Sequence, residues 1–142
     1  MAFTRNFHSE LNFAFTQCHG IIDDNSLRIH ILSFNIEAKG MKNIREIADA
    51  RKLNNASKIT VKGLLELSEL ANERAAGKAG LLAIIVPDNP MFQKMAELYG
   101  YAVGDQKAET RIFHHPREAL VWLGYEGHDI KKLLRFMRRH QV

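Results

Sequence analysis

Four polar or basic residues follow predicted strands at places where a helix should begin. They are Arg51, Ser57, Thr60 and Asn89. A helix N-terminus presents unpaired backbone N–H groups and a partial positive charge, and both favour an anion. The four residues therefore predict a site for a small anionic or nucleotide-like ligand. A second interpretation stays open, because Ser57, Thr60 and Asn89 are also ordinary capping residues and Arg51 could be solvated or paired with a carboxylate.

Other residue types that often do chemistry lack the spacing that the chemistry needs. His114 and His115 are adjacent at a predicted strand end, so their side chains point to opposite sides. Cys18 has only its sequence neighbour His19 as a possible base, and a buried or half-buried thiol is the simpler expectation. No glycine-rich phosphate loop is present. We therefore expect no metal site, no cofactor and no catalytic site, and we predict that the protein is not an enzyme.

The positive charge of the chain is concentrated near its C-terminal end. The chain carries a net charge of +4, and residues 127–142 alone account for it, so residues 1–126 are neutral overall. The basic residues of this segment are Lys131, Lys132, Arg135, Arg138 and Arg139. At helical spacing they lie opposite an apolar stripe of Ile130, Leu133, Leu134 and Met137, with Phe136 outside that stripe. The segment is therefore predicted to be a basic amphipathic helix.

Three interpretations of this helix stay open. Its apolar stripe would pack on the rest of the domain or across a dimer interface, leaving the basic residues in water. Alternatively, the basic face would bind an acidic partner protein or a nucleic-acid backbone in a salt-sensitive way. The third interpretation is weak attachment to an anionic membrane surface. A broad nucleic-acid-binding surface is not indicated, because the body of the chain is neutral.

Alternating strand and helix patterns must position these residues. Two short alternating runs, at 3–7 and 11–17, predict an antiparallel hairpin at a sheet edge. A helix is predicted over 23–39 with two apolar faces, one for the sheet and one, with Ile29 and Ile36, for another element or subunit. Three strand–helix units follow, with strands at 44–49, 82–87 and 110–114. Their helices are predicted at 61–76, from 90 to Gly100 or Gly104, and at 116–123. This alternation predicts a mostly parallel sheet covered by helices.

Length and composition fit one α/β domain. The chain has 142 residues, of which 46% are hydrophobic and 25% charged, as in ordinary globular proteins. A single cysteine excludes an internal disulfide and indicates a reducing cytoplasm. No apolar run approaches the roughly 20 residues that a membrane-spanning helix needs. We expect residues 1–126 to form the domain and residues 127–142 to add a helix to the same compact unit.

Short segments at 19–23, 46–51, 83–87, 111–113 and 118–124 occur in a particular order and spacing. Together they resemble the SpoIIAA-like branch of the STAS superfamily, over roughly residues 3–124. The resemblance implies a mixed, mostly parallel sheet with an antiparallel edge and helices packed around it. It also implies a regulatory module that binds a partner protein or a small anionic ligand and is not an enzyme.

One feature implied by the resemblance is missing from the chain. The best-known members of the superfamily carry a phosphorylated serine in an Asp-Ser-Ser/Ala-Gly-like loop, at the start of the helix after the third strand. Residues 49–60 contain no such motif and have Ser57-Lys58-Ile59-Thr60 at the corresponding place. Ser57 or Thr60 could accept a phosphate, but helix capping explains either residue equally well. The phosphoswitch is therefore not carried over to this chain.

The sequence as a whole predicts a cytoplasmic STAS-like module that binds a partner protein or a small anionic ligand at the carboxyl ends of the parallel strands. The alternative is an adaptor that binds nucleic acid or an anionic surface through the basic C-terminal helix. The second apolar face of the first helix and the apolar stripe of the last one favour a homodimer.

Overall fold

A five-stranded sheet with the strand order β1-β2-β3-β4-β5 organises the chain. The strands are β1 Phe3–His8, β2 Phe13–Gly20, β3 Arg45–Leu53, β4 Gly80–Ile85 and β5 Ala108–Phe113. β1 pairs antiparallel with β2, and the remaining neighbours pair in parallel. This computed structural model describes residues 3–54, 57–60, 62–63, 65–66, 80–104 and 108–142. The mixed, mostly parallel sheet with an antiparallel N-terminal hairpin confirms the predicted fold class.

Helices cover both faces of the sheet. They are α1 Asp24–Glu37, α2 Pro90–Gly104, α3 Pro116–Trp122 and α4 Gly127–Arg139. Asp23 caps α1, because its carboxylate accepts a hydrogen bond from the backbone N–H of Ser26 at 2.8 Å. The helix predicted over 61–76 lies mostly outside the described residues, although residues 62–63 and 65–66 are helical.

β3 is longer than the sequence pattern predicted. It continues to Leu53 because its parallel pairing with β2 resumes after a register shift, with His19 opposite Lys52 and Gly20 opposite Leu53. These pairings supply backbone partners to a polar stretch that resembles a loop when viewed in isolation. Arg51 therefore lies inside β3, and the prediction that placed it in a strand-end loop is wrong.

Alternation along the strands gives the sheet two faces with different contents. One face, which we call the packed face, carries Phe13, Phe15, Ile47, Ala83 and Ile85. These side chains form a single hydrophobic cluster with residues of α3 and α4. The opposite face, which we call the cavity face, is covered by α1 and α2, and carries Ala14, Thr16 and Cys18 of β2, Glu46, Ala48 and Ala50 of β3, and Leu82, Ile84 and Val86 of β4 and its end.

α4 is part of the main core. Its residues Ile130, Leu133, Phe136 and Met137 are buried in the cluster of the packed face. Helical spacing placed Phe136 outside the apolar stripe, and this expectation is wrong. The Phe136 ring reaches the antiparallel hairpin, where its centroid lies 5.1 Å from that of His8 and 6.2 Å from that of Phe13. The ring is long enough to bury itself against β1 and β2 from the margin of the helix face.

Candidate functional site

A cavity of about 70 Å³ lies between the cavity face of the sheet and helices α1 and α2. Its floor includes Cys18, Ala48 and Ala50 of the strands, and Phe92 and Tyr99 of α2 form part of its wall. The lining is mostly apolar. The ionisable side chains among the described lining residues are Cys18, His30, Glu46 and Tyr99.

Small side chains on the central strands explain why space remains here. Where the packed face has Phe13, Phe15 and Ile47, the neighbouring positions of the same strands hold Ala14, Thr16 and Ala48. The hydrophobic residues on this side form three smaller clusters among the described residues, rather than one. The helices pack on the larger side chains on either side, and the small side chains of the strands between them do not fill the remaining space.

Glu46 brings a carboxyl group into this apolar surrounding. The residue is only 9% exposed, and its Oε2 accepts a hydrogen bond from the Thr16 hydroxyl at 2.6 Å. Burial raises the pKa of the Glu46 carboxyl, while the Thr16 hydrogen bond and the charge of Arg5 oppose that rise. Glu46 therefore tends to hold its proton more strongly than an exposed glutamate would.

Arg5 connects this carboxyl to the surface. Its Nε donates to the Thr16 hydroxyl oxygen at 3.3 Å, and its guanidinium forms an ion pair with Glu37 at the rim of α1. The Arg5 side chain is 5% exposed, whereas that of Glu37 is 45% exposed. A continuous polar path thus runs from solvent at Glu37, through Arg5 and Thr16, to Glu46 at the cavity.

His30 packs against the same arginine and is neutral at physiological pH. Its ring stacks on Phe3 with centroids 4.5 Å apart, and its Nδ1 contacts the Arg5 guanidinium. Burial, followed by the positive charge of Arg5, lowers the pKa of His30 to about 3. The imidazole is therefore a poor general acid and serves as a packed, neutral wall of the site.

Cys18 and Tyr99 are also held in their neutral forms. Burial is the largest cause that raises the pKa of the Cys18 thiol, and it acts in the same way on the Tyr99 phenol; the nearby Glu46 adds to both effects. A thiol that keeps its proton is a weak nucleophile. The arrangement can therefore bind a molecule through apolar contact and neutral hydrogen-bonding groups, and it offers no activated nucleophile.

The predicted anion-binding residues are engaged in contacts within the chain. Arg51 pairs with Asp49 of the same strand, through Nη2 to Oδ2 at 2.8 Å and Nε to Oδ1 at 3.0 Å. These bonds raise the pKa of the Arg51 guanidinium. Ser57 is 3% exposed, and its hydroxyl oxygen accepts the backbone N–H of Ile22 at 3.0 Å.

The other two residues act as caps. The Thr60 backbone N–H donates to Asp24 Oδ1 at 2.8 Å, and the Thr60 hydroxyl oxygen accepts the N–H of Gly63 at 2.9 Å. Asn89 Oδ1 accepts the N–H of Met91 at 2.9 Å, at the start of α2. The structure thus brings Ser57 and Thr60 to the region where β2 leads into α1, and leaves Asn89 at a separate helix start. An anion-binding role for the four residues stays a prediction.

The basic face of α4 lies in solvent. Lys131, Arg135, Arg138 and Arg139 are exposed, and Lys132 is half-buried and pairs with Glu10 at 3.2 Å. The apolar side of the same helix is buried in the core, so the helix can offer a partner only its charged side. Within the described ranges, no group of three or more histidine, cysteine or acidic residues could hold a metal ion. No helix among the described residues is both long and apolar enough to cross a membrane.

Sequence reasoning missed the cavity and the role of Glu46. One signal was available: a central parallel strand is covered on both faces, so a glutamate inside it must be buried. Glu46 lies between Arg45 and Ile47 in β3, beside the predicted core position Ile47. The small residues Ala14, Thr16 and Ala48 were a second signal, but the size of the cavity also depends on how far the helices stand from the sheet, which the sequence pattern does not give.

Comparison with known proteins supports the fold. No family model matches the chain, and no match was found among curated proteins. Among solved structures, the chain is similar to the crystal structure of an uncharacterized protein from the DUF3478 family with a SpoIIAA-like fold, from Shewanella loihica PV-4. That similarity has a TM-score of 0.57 at 14% sequence identity, and it covers 86% of this chain and 92% of that one. The SpoIIAA-like fold implied by the sequence resemblance is confirmed.

Proposed function

We propose that the chain is a non-enzymatic binding module that holds a small molecule in the cavity between the cavity face and helices α1 and α2. The observation that carries this proposal is the pocket itself, a partly open and mostly apolar cavity with a buried carboxyl group at its wall. Ligand sites are typically concave and apolar, with a few placed polar groups. A SpoIIAA-like fold supports a regulatory or binding role of the STAS type.

This site differs from the one that the sequence suggested. The side-chain oxygens of the strand-end residues already accept hydrogen bonds from backbone N–H groups of the chain; these residues are Ser57, Thr60 and Asn89. An anion would have to compete with those bonds. Binding in the cavity would break no such hydrogen bonds, because the cavity lining is mostly apolar.

α1 provides a way for an occupied cavity to affect a partner. Its inner side contributes Leu27 and His30 to the cavity lining, while Ile29 and Ile36 on its outer side are 53% and 70% exposed. A small shift of α1 on ligand binding would alter this outer surface. We therefore retain the sequence prediction of a partner protein or a second copy of the chain, and propose the outer side of α1 as its contact. A cytoplasmic location also stays a prediction.

The proposal can be tested with one cavity-filling substitution. Ala48→Leu places a larger side chain on the cavity floor, so native mass spectrometry should show a small molecule bound to the gently purified wild-type chain and none bound to the variant. Thermal unfolding of both proteins controls for loss of fold. If the two proteins carry the same bound mass, or if neither binds a small apolar probe, the cavity is not the binding site.

A second candidate function rests on the exposed basic face of α4. Four basic side chains in solvent on one helix support binding to a nucleic-acid backbone or another anionic surface. Deleting residues 127–142 would remove core residues such as Leu133 and Phe136, so the appropriate test is a charge change. Arg135, Arg138 and Arg139 would be replaced by Gln.

Binding to a DNA duplex and to anionic lipid vesicles should then fall, and for the wild type it should weaken steeply as salt rises. Lys94→Gln, which changes an exposed lysine of α2, is the matched control. Equal binding by the wild type and the triple variant would exclude this second candidate.

A further inference from the structure

One oxygen of the Glu46 carboxyl group has no hydrogen-bond donor among the residues that the structure describes. Oε2 is occupied by the Thr16 hydroxyl. Across the described part of the chain, the Glu46 side chain makes no other hydrogen bond and no ion pair. Glu46 lines the cavity and is 9% exposed. Oε1 is not one of the fully enclosed side-chain atoms that lack a hydrogen-bond partner, so it faces accessible space and can form a hydrogen bond with an incoming ligand.

The direction of the surrounding hydrogen bonds fixes what kind of partner Glu46 can accept. A hydroxyl has one hydrogen to donate, and Thr16 directs it to Glu46 while its own oxygen accepts from Arg5 Nε. Oε2 is therefore occupied, and Oε1 remains for a ligand: an ionised Glu46 accepts a hydrogen bond at Oε1, and a protonated Glu46 donates one from the same oxygen. A hydroxyl or an amide group, which can both donate and accept, pairs with either form.

The rest of the lining limits the charge of the ligand group that pairs with Glu46. Ile22, Leu27, Ala48 and Phe92 give the cavity apolar walls, in which an unpaired ion would be poorly solvated. A cation would also approach the buried positive charge of Arg5, which already pairs with Glu37. An anion would be repelled by an ionised Glu46, and beside a protonated Glu46 it would still be an ion in apolar surroundings. A neutral hydroxyl or amide group avoids both conflicts.

We propose that the cavity holds an uncharged, mostly apolar molecule whose hydroxyl or amide group forms a hydrogen bond with Oε1 of Glu46. This inference rests on the proposed function and specifies its ligand class. The volume of about 70 Å³ is about half that of an apolar cavity known to hold benzene, roughly 150 Å³. The buried part of the ligand is thus a short alkyl segment, and any larger part lies outside this volume.

The test compares three probes that share one alkyl chain and differ only in the head group: butyramide, butyrate and butylamine. Methyl NMR of isoleucine-labelled full-length protein reports where they bind. Ile22 and Ile84 line the cavity, while Ile47 and Ile85 belong to the cluster on the packed face and serve as internal controls. Butyramide should shift the Ile22 and Ile84 signals saturably at neutral pH. Its affinity should be about tenfold or more above those of the two charged probes, because butyramide forms the buried hydrogen bond without burying a charge.

Two substitutions of Glu46 sharpen the assignment. Glu46→Gln uses its oxygen to accept from Thr16 and presents its NH2 group to the cavity, where it can donate to the carbonyl oxygen of butyramide, so binding should stay within a few fold of the wild type. Glu46→Leu removes the hydrogen-bonding group, and should weaken butyramide binding by about tenfold. Glu97→Gln, on the exposed side of α2, is the matched control and should change nothing. The comparison of head groups on the wild-type protein stands even if one variant fails to fold.

The possible failures are distinguishable. Tighter binding of butyrate or butylamine than of butyramide, or unchanged butyramide binding by folded Glu46→Leu, would overturn the assigned ligand class while leaving the cavity as a binding site. If none of the three probes shifts Ile22 or Ile84 saturably, the proposed function is wrong and this inference falls with it.

Discussion

The packed face and the cavity face are built from alternate residues of the same strands, yet they meet their helices differently. β2 gives Phe13 and Phe15 to the packed face, and Ala14 and Thr16 to the cavity face. The large side chains merge with α3 and α4 into one cluster. The small ones leave a gap beneath α1 and α2. Alternation thus separates two tasks, since one face supplies most of the packing and the other supplies space.

This separation depends on strand register. Shifting a strand by one residue moves every side chain to the other face of the sheet. Such a shift in β2 and β3 would place Thr16 and Glu46 under α4, and it would place the phenylalanines of β2 in the space beneath α1. The large residues of the packed face therefore also fix the position of the cavity. The following predictions test this division of tasks.

The largest effect is expected from truncations that compare the two faces. Leu120 on α3 is fully buried within the packed cluster, so Leu120→Ala should lower the free energy of unfolding by about 4 kcal/mol. Leu27 on α1 borders the cavity and already lacks neighbours on one side, so Leu27→Ala should cost about 2 kcal/mol. Urea unfolding of both variants measures the difference. Equal losses would contradict the contrast between the faces.

A smaller effect is expected from the acid response of the cavity face. His30 has a pKa lowered to about 3 from its usual 6.5, so it stays neutral in the folded state while it takes up a proton in the unfolded state. Stability is therefore present above pH 6.5 and falls as the pH drops toward 3, by about 2 kcal/mol at pH 5.

The measurement is urea unfolding of the wild type and His30→Phe at pH 7 and pH 5. Phenylalanine keeps the ring stacked on Phe3 and cannot be protonated, so the variant should lose less stability between the two pH values. The comparison concerns the change with pH, because removing the Arg5 contact shifts the absolute stability as well. A parallel decline of both proteins would contradict the assignment to His30.

The next smaller effect comes from a matched pair of enlargements. Ala83 of β4 is fully buried on the packed face, and Ala83→Leu should destabilise the fold by about 1–3 kcal/mol through overpacking. Ala48 lies on the cavity floor, where the added atoms enter existing space, so Ala48→Leu should cost less than about 1 kcal/mol. Thermal unfolding ranks the two. If Ala48→Leu is the more damaging, the cavity is not open to the floor as described.

The smallest effect is expected from Glu46→Gln, because Thr16 and Arg5 partly oppose the effect of burial on this carboxyl group. The pKa of Glu46 is raised, so the folded state holds the proton more tightly than the unfolded state, and the wild type loses stability as the pH rises above the usual value of 4.5. The variant cannot lose that proton. Its stability relative to the wild type should therefore be greater at pH 8 than at pH 4, and a difference independent of pH would show that Glu46 titrates normally.

The sequence predicted most of the fold because the relevant signals are local. The alternating hairpin and the cap at Asp23 depend on neighbouring residues, and the structure has both. The end of β3 was misjudged because it depends on pairing with β2, more than thirty residues away. Phe136 was misjudged for a similar reason, since its partners His8 and Phe13 belong to the opposite end of the chain. The candidate site depends on a volume between elements, which no single segment encodes.

The position of α4 in the core has a consequence for how the protein is made. Gln17 of β2 donates a hydrogen bond to the carbonyl oxygen of His140, across 123 residues of sequence, and Phe13 packs against Phe136 over a similar separation. During translation, the aromatic residues of the hairpin emerge long before the helix that covers them. Contacts so distant in sequence slow folding, and exposed apolar strands invite aggregation meanwhile. Nascent chains of this protein should therefore depend on chaperones until α4 has left the ribosome.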